Sequence, residues 1–223
     1  MDHSKISKAH QYFLKDPDAY DHYYDLYRKK IDWSDFGRLT THQIKNQAFH
    51  FLNTWGCRFT ATDFLASKVK SAHLYHSAGI FALAKETIQD IDLQLSIKIY
   101  CGKLAAEDLV FQIFTGFCNL RQRFRWVAAS KLLHMINPKL FVMWDNEIVD
   151  GYGIKLNEKS YAYEFLPKMK EEVNEAISTY MQDNGCNRSV AIDELQKQNS
   201  QRTLAKLADE YNFEKYTKKR KDL

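Results

Sequence analysis

The chain has 223 residues, of which 45% are hydrophobic and 14% aromatic, with a formal net charge of +4 at pH 7. This apolar content supplies a core and excludes global disorder, and the charge is too small for an architectural DNA-binding protein. Neither a run of about 18 apolar residues nor a signal-peptide pattern occurs, so no membrane contact is expected. Cys57, Cys101, Cys118 and Cys186 lie far apart without a Cys-x-x-Cys, which argues against disulfides, zinc and iron–sulfur clusters. No cofactor and no metal are expected, and a reducing cytoplasm is the expected compartment.

In chain order the pattern is helix after helix. Residues 5 to 15 and 18 to 31 are predicted helical, and Asp16-Pro17-Asp18 restarts the second with acid in its first turn. Tyr20, Tyr23, Tyr24 and Tyr27 share a face of that helix, read as core in preference to a stacking surface. Thr40 or Thr41 is predicted to cap a helix lined by Ile44, Ala48, Phe49, Leu52 and Trp55, with Gly56 as its stop. A run from Thr62-Asp63 to about Lys70 precedes an apolar helix predicted from Ser71 through Lys85. His73 and His76 sit three apart there, with His42 and His50 upstream. No carboxylate completes a metal signature, so surface or satisfied core histidines are expected.

Residues 89 to 101 alternate apolar and polar with period two, the pattern of a strand. No obvious partner strand occurs elsewhere, and a lone strand is not stable, so an extended link or irregular helix is expected. Ala105-Ala106-Glu107-Asp108 then opens a helix buried along Leu109, Ile113, Phe114 and Phe117. Further on, Gly151-Tyr152-Gly153 breaks a short helix and residues 155 to 159 read as a loop. A long helix follows from about Tyr161 to Gln182, tolerating Pro167 only near its first turn or at a kink, and Asn184-Gly185 ends it. Two shorter helices, about 188 to 198 and 201 to 213, precede a basic tail at 214 to 223. That tail, with Lys215, Lys218, Lys219, Arg220 and Lys221, is read as solvated or, functionally, as a grip on phosphate.

The stretch from Arg125 to Asp145 organises the rest. Ala129, Leu132, Leu133 and Ile136 recur at helical spacing, and Asn137-Pro138 stops that helix because proline disfavours helical backbone in the preceding residue. An apolar link, Leu140 to Trp144, leads to Asp145, which can cap the helix beginning Asn146-Glu147-Ile148. On spacing alone, Asp145 is foremost a cap. Lys131, one turn before His134, reads as a solvated lysine, with phosphate contact or an amine nucleophile as the functional readings.

Over residues 104 to 153 this arrangement resembles the helix-hairpin-helix DNA glycosylase superfamily, in which an aspartate closing such a link serves the chemistry. The resemblance implies an all-α, helix-hairpin-helix-glycosylase-like helical bundle. Residues 1 to 223 would form a single domain, with a possible arrangement as two helical subdomains around a cleft, 104 to 153 as its core and 214 to 223 as the basic tail. It implies that Asp145 is catalytic, releasing a flipped-out, modified base and leaving an abasic site. Typical members carry Leu-Pro-Gly-Val-Gly where this chain reads Leu120-Arg121-Gln122-Arg123-Phe124. Arg121, Arg123 and Arg125 are therefore read either as holding DNA phosphate by charge in place of glycine backbone or as a plain solvated loop. Trp126 stands where bifunctional members place a lysine, so a monofunctional enzyme is expected. Trp126 and Trp144 are candidates for a base pocket or a wedge, and Lys131 for catalysis or phosphate contact. DNA is the expected partner of a monomeric protein, and bacterial defence against phages with hypermodified bases is one role the resemblance allows. The rivals are a non-catalytic nucleic-acid-binding or interaction module on the same scaffold, and a helical module with no nucleic-acid role.

Overall fold

In the computed structural model, which describes residues 1–16, 20–93, 96–99, 102–120 and 125–223, the first and last helices of the chain lie against each other. Helix α1 (His3–Leu14) starts at Asp2, whose side chain accepts the Lys5 N–H at 2.9 Å, and packs on α13 (Leu204–Asn212). Helix α2 (Tyr20–Lys30) buries Tyr24 and Tyr27 in the core and leaves Tyr23 half-buried, while the side chain of Tyr20 lies outside what the structure describes. Thr40 and Gln43 form a capping box at the start of α3 (Thr41–Gln43), which runs through a π turn (Ile44–Ala48) into α4 (Phe49–Thr54).

Thr62 caps α5 (Asp63–Tyr75), and α6 (Ser77–Leu83) follows. The break falls at His76 instead of the expected Ser71, because Leu65, Ala66, Val69 and His73 continue one buried face across that point. The His76 ring lies over Gly116 of α7 (Ala106–Cys118), where a Cβ would stand 2.0 Å from its Nε2. Only glycine permits that approach. His73 is buried and His76 half-buried, burial pushes both imidazoles below the usual range, and the His73 Nδ1 has no hydrogen-bond partner among the described residues, unlike the satisfied core histidine expected.

The period-two segment is in part a strand, which corrects the expected link or irregular helix. β1 (Ser96–Ile99) pairs antiparallel with β2 (Gly102–Ala105), in register from Ser96 opposite Ala105 to Ile99 opposite Gly102. Its partner is the segment immediately downstream, whose Ala105 reads in sequence as the start of α7.

Helix α7 packs against α8 (Trp126–Ile136), with the hairpin positions Arg121 and Arg123 between them outside the described residues. α8 ends at Asn137, whose Nδ2 donates to the Leu83 carbonyl at 2.8 Å. Leu140 through Trp144 are all buried. His134 ties this link to α8, because its Nδ1–H donates to the Phe141 carbonyl at 2.6 Å and its Nε2 accepts the Tyr24 hydroxyl at 3.1 Å. Burial pushes the His134 imidazole down to about 3, so it stays neutral in that bridge. Asp145 then caps α9 (Asn146–Tyr152), which ends at Gly153 in the left-handed region at φ 66°.

The expected loop at 155–159 already contains a helix start, since Asn157 caps α10 (Glu158–Ser160). A π turn (Tyr161–Phe165) joins it to α11 (Leu166–Asn184). This wide turn stands just before Pro167, whose ring has no N–H and would clash with the carbonyl four residues back in a regular helix. After α12 (Arg188–Gln198), positive φ at Ser200 and Gln201 delays α13, capped by Thr203, to a first residue three later than expected.

The C-terminal segment is not a solvated tail. A π turn (Phe213–Thr217) continues α13, and Leu223 is buried beside Ala9 and Tyr211. Lys218 pairs with Asp16 at 2.6 Å, Arg220 with Glu214 at 3.2 Å and Lys8 with Asp222 at 2.7 Å. Asp16 beyond α1 and Glu214 of the π turn thus neutralise basic charge that sequence order alone assigns to solvent, and Lys8 of α1 holds the acidic Asp222 near the chain end. The fold is mostly helical around one continuous hydrophobic cluster running from Ile6 to Ala208. Among the described residues, no helix is long and apolar enough to cross a membrane.

Candidate functional site

Four segments distant in sequence meet around a cavity of about 680 Å³: the end of α4, the first half of α8, the start of α9 and the end of α13. Asp145, Lys131, Arg125, Trp126 and Trp144, all singled out from the sequence, line this one cavity.

Asp145 reaches it because the buried link ends at the first turn of α9. Its Oδ1 accepts the Ile148 N–H at 2.9 Å and its Oδ2 accepts the Thr217 hydroxyl at 3.0 Å. Burial pushes its carboxyl above the usual carboxylate range, and these two donors pull the other way. A half-buried carboxylate held by neutral donors keeps its charge available to whatever enters the cavity.

Lys131 is not a solvated lysine. Its ammonium donates to the carbonyl of Trp55, the residue that ends α4, at 2.5 Å and stands 5.7 Å from that indole ring. Sequence order hides this contact, which caps a helix end 76 residues away. Trp126 begins α8, with the exposed Arg125 guanidinium 5.4 Å from its ring. Its indole N–H is buried and has no partner among the described residues. Trp144 cannot act as a wedge, because it is 1% exposed and packed among Phe114, Tyr161 and Phe165. Its Nε1–H donates to the Trp126 carbonyl at 3.3 Å, so it forms fixed wall.

Three residues of the site escaped the sequence reading. Trp55 passes for a core residue of its helix, and Thr217 lies within the supposed tail. Asp209 is the third: it lines the cavity at 6% exposure and is held by Lys206, whose ammonium lies 2.8 Å from Oδ2. Lys206 is fully buried, 3.6 Å from Glu210 and within 4.4 to 5.0 Å of the Phe13, Tyr24 and Trp55 rings. Burial alone would lower its pKa, and the two carboxylates outweigh that and raise it. The signal was the spacing of Lys206, Asp209 and Glu210, three and four apart on one helix.

Among the described residues, no group of three or more His, Cys, Asp and Glu side chains could hold a metal ion. Compared with known families, curated proteins and solved structures, the chain matches none.

Proposed function

We propose that this protein is a monofunctional DNA glycosylase on a helix-hairpin-helix-like scaffold, cleaving the N-glycosidic bond of a flipped-out, modified base. The observation that carries the reading is Asp145, at a helix start on an aromatic-walled cavity, with both oxygens held by neutral donors. As the carbon–nitrogen bond breaks, the electron pair leaves with the base and positive charge develops on the sugar. An ionised Asp145 stabilises that charge or takes a proton from the attacking water, whose oxygen bonds to the sugar carbon; the base gains a proton and an abasic site remains. Extruding a base from its stack costs a few kcal/mol, and stacking against the half-buried indole wall of Trp126 offsets it. The cavity lies in the usual size range of small-ligand sites. Lys131 is committed to a helix-end carbonyl, which supports hydrolysis without a lysine adduct. Arg125, exposed at the rim, reads as a phosphate contact, and Arg121 and Arg123 extend this expectation by charge alone. Defence against DNA carrying modified bases is the setting in which this activity makes sense.

Release of bases from a panel of naturally modified DNAs, scored as abasic sites, tests the reading. Asp145→Asn keeps a capping side chain, so the fold should persist while activity falls by about 10²- to 10⁴-fold. Borohydride should trap no protein–DNA adduct. Full activity in Asp145→Asn removes that residue from the mechanism. Absence of release from any DNA favours the rival in which Asp145 only caps a helix on a non-catalytic binding module.

A further inference from the structure

Asp209 is held by one oxygen only. Lys206 donates to Oδ2 at 2.8 Å, and no described residue donates to Oδ1. The residue is only 6% exposed and lines the cavity that Asp145 also lines. Oδ1 keeps some accessible surface, unlike the fully buried and unpartnered Oε1 of neighbouring Glu210, so a donor inside the cavity can reach it. Lys206 is fully buried and shared with Glu210, and Lys131, whose charge also acts on Asp209, donates to the Trp55 carbonyl. The same cavity has the half-buried Trp126 ring as a flat wall. The open chemistry of this pocket is therefore an acceptor with negative character beside a surface that takes a planar ring.

We infer that Asp209 Oδ1 accepts an N–H from the ligand, making this cavity selective for a base with an exocyclic amino group, such as an adenine- or cytosine-type ring. The inference rests on reading the cavity as a base pocket. It assigns Asp145 to the sugar side and Asp209 to the base. An acceptor of this kind gains one charge-assisted hydrogen bond from an amino group and gains none from an N9-substituted purine whose amino group is absent or fully alkylated and whose ring carries no other N–H.

The 9-methylated bases, whose glycosidic nitrogen carries no N–H as in DNA, are the probe, titrated into the full-length protein by calorimetry with quenching of the cavity tryptophans as a second readout. 9-Methyladenine should bind about tenfold or more tightly than 9-methylpurine or N6,N6,9-trimethyladenine, the factor expected for one hydrogen bond to a charged acceptor. Asp209→Asn should shrink that ratio. Because this variant loosens Lys206 and could unfold, the ligand series on the unaltered protein is the deciding measurement. Equal binding of the three purines, or no binding of any at millimolar concentration, overturns the assignment. Base release from DNA is scored separately. Release without an amino-group preference sinks the role of Asp209 and leaves the glycosylase reading standing, whereas the preference without any release does the reverse.

Discussion

Asp145 and Asp209 line the same cavity, and neither has an ordinary solvent shell, yet the chain holds them in opposite ways. Asp145 caps a helix and takes its hydrogen bonds from a backbone N–H and a hydroxyl, both neutral. Asp209 lies inside a helix and takes its bond from a buried ammonium. Burial pushes both carboxyls above the usual range. Only for Asp209 is the strongest opposing influence a full positive charge. A charge already matched by Lys206 responds weakly to a cation developing elsewhere, whereas one held by dipoles responds fully. The comparison therefore gives the proposed chemistry to Asp145 and leaves Asp209 to stability and recognition.

The largest effect expected in breaking this comparison is on stability. Lys206→Met should cost about 3–5 kcal/mol, because it strands the buried Asp209 and takes one of three basic partners from Glu210, which keeps His10 and Arg202. Asp145→Ala should cost about 1 kcal/mol, the loss of a helix cap. The folded state raises the Asp145 pKa, so its ionisation opposes folding above the unfolded value, and that penalty disappears as pH falls. Asp145→Asn is thus expected to be as stable as the parent at pH 7, or more so. Urea titrations of the three variants check the order. A Lys206→Met protein as stable as Asp145→Ala would mean that the buried network is as dispensable as the cap.

A smaller effect separates how Asp145 is held from what it does. The Thr217 hydroxyl lowers the Asp145 pKa, so Thr217→Val should raise the acid limb of the activity profile. Base release would then be lost at mildly acidic pH and nearly unchanged at pH 8, where the carboxylate ionises regardless. Thr217→Ser should restore the parent limb. A uniform fall at every pH in both variants would make Thr217 a packing residue.

Why one aspartate was legible and the other was not follows from their surroundings. Asp145 ends an apolar run broken by Asn137-Pro138, and both the cap and the buried link are local consequences of that order. The helix stops at Gly56 and Asn184-Gly185 were legible for the same reason. Asp209 sits in α13, every residue of which is buried, so the alternation of polar and apolar that marks an outward face carries no information there. Lys131 and Thr217 owe their roles to contacts 76 and 72 residues away. Spacing rules do not reach that far. The β-hairpin failed differently: its second strand is short and runs directly into α7, so helical signals masked the partner.

The smallest expected effect concerns the rim. Arg125 is exposed, at the start of α8, and its guanidinium lies over Trp126 without an ion pair among the described residues. If it neutralises one DNA phosphate, Arg125→Ala should reduce the slope of log affinity against log salt by about 0.9 on duplex DNA. The loss should be similar for all sequences, since phosphate contacts position without reading bases. Fluorescence anisotropy across a range of salt concentrations measures both. The C-terminal basic residues provide the contrast, because Lys218 and Arg220 are already paired with Asp16 and Glu214. Lys218→Ala should therefore leave the slope unchanged. If it lowers the slope while Arg125→Ala does not, DNA lies along the C-terminal segment, and the rim above Asp145 is not where the strand enters.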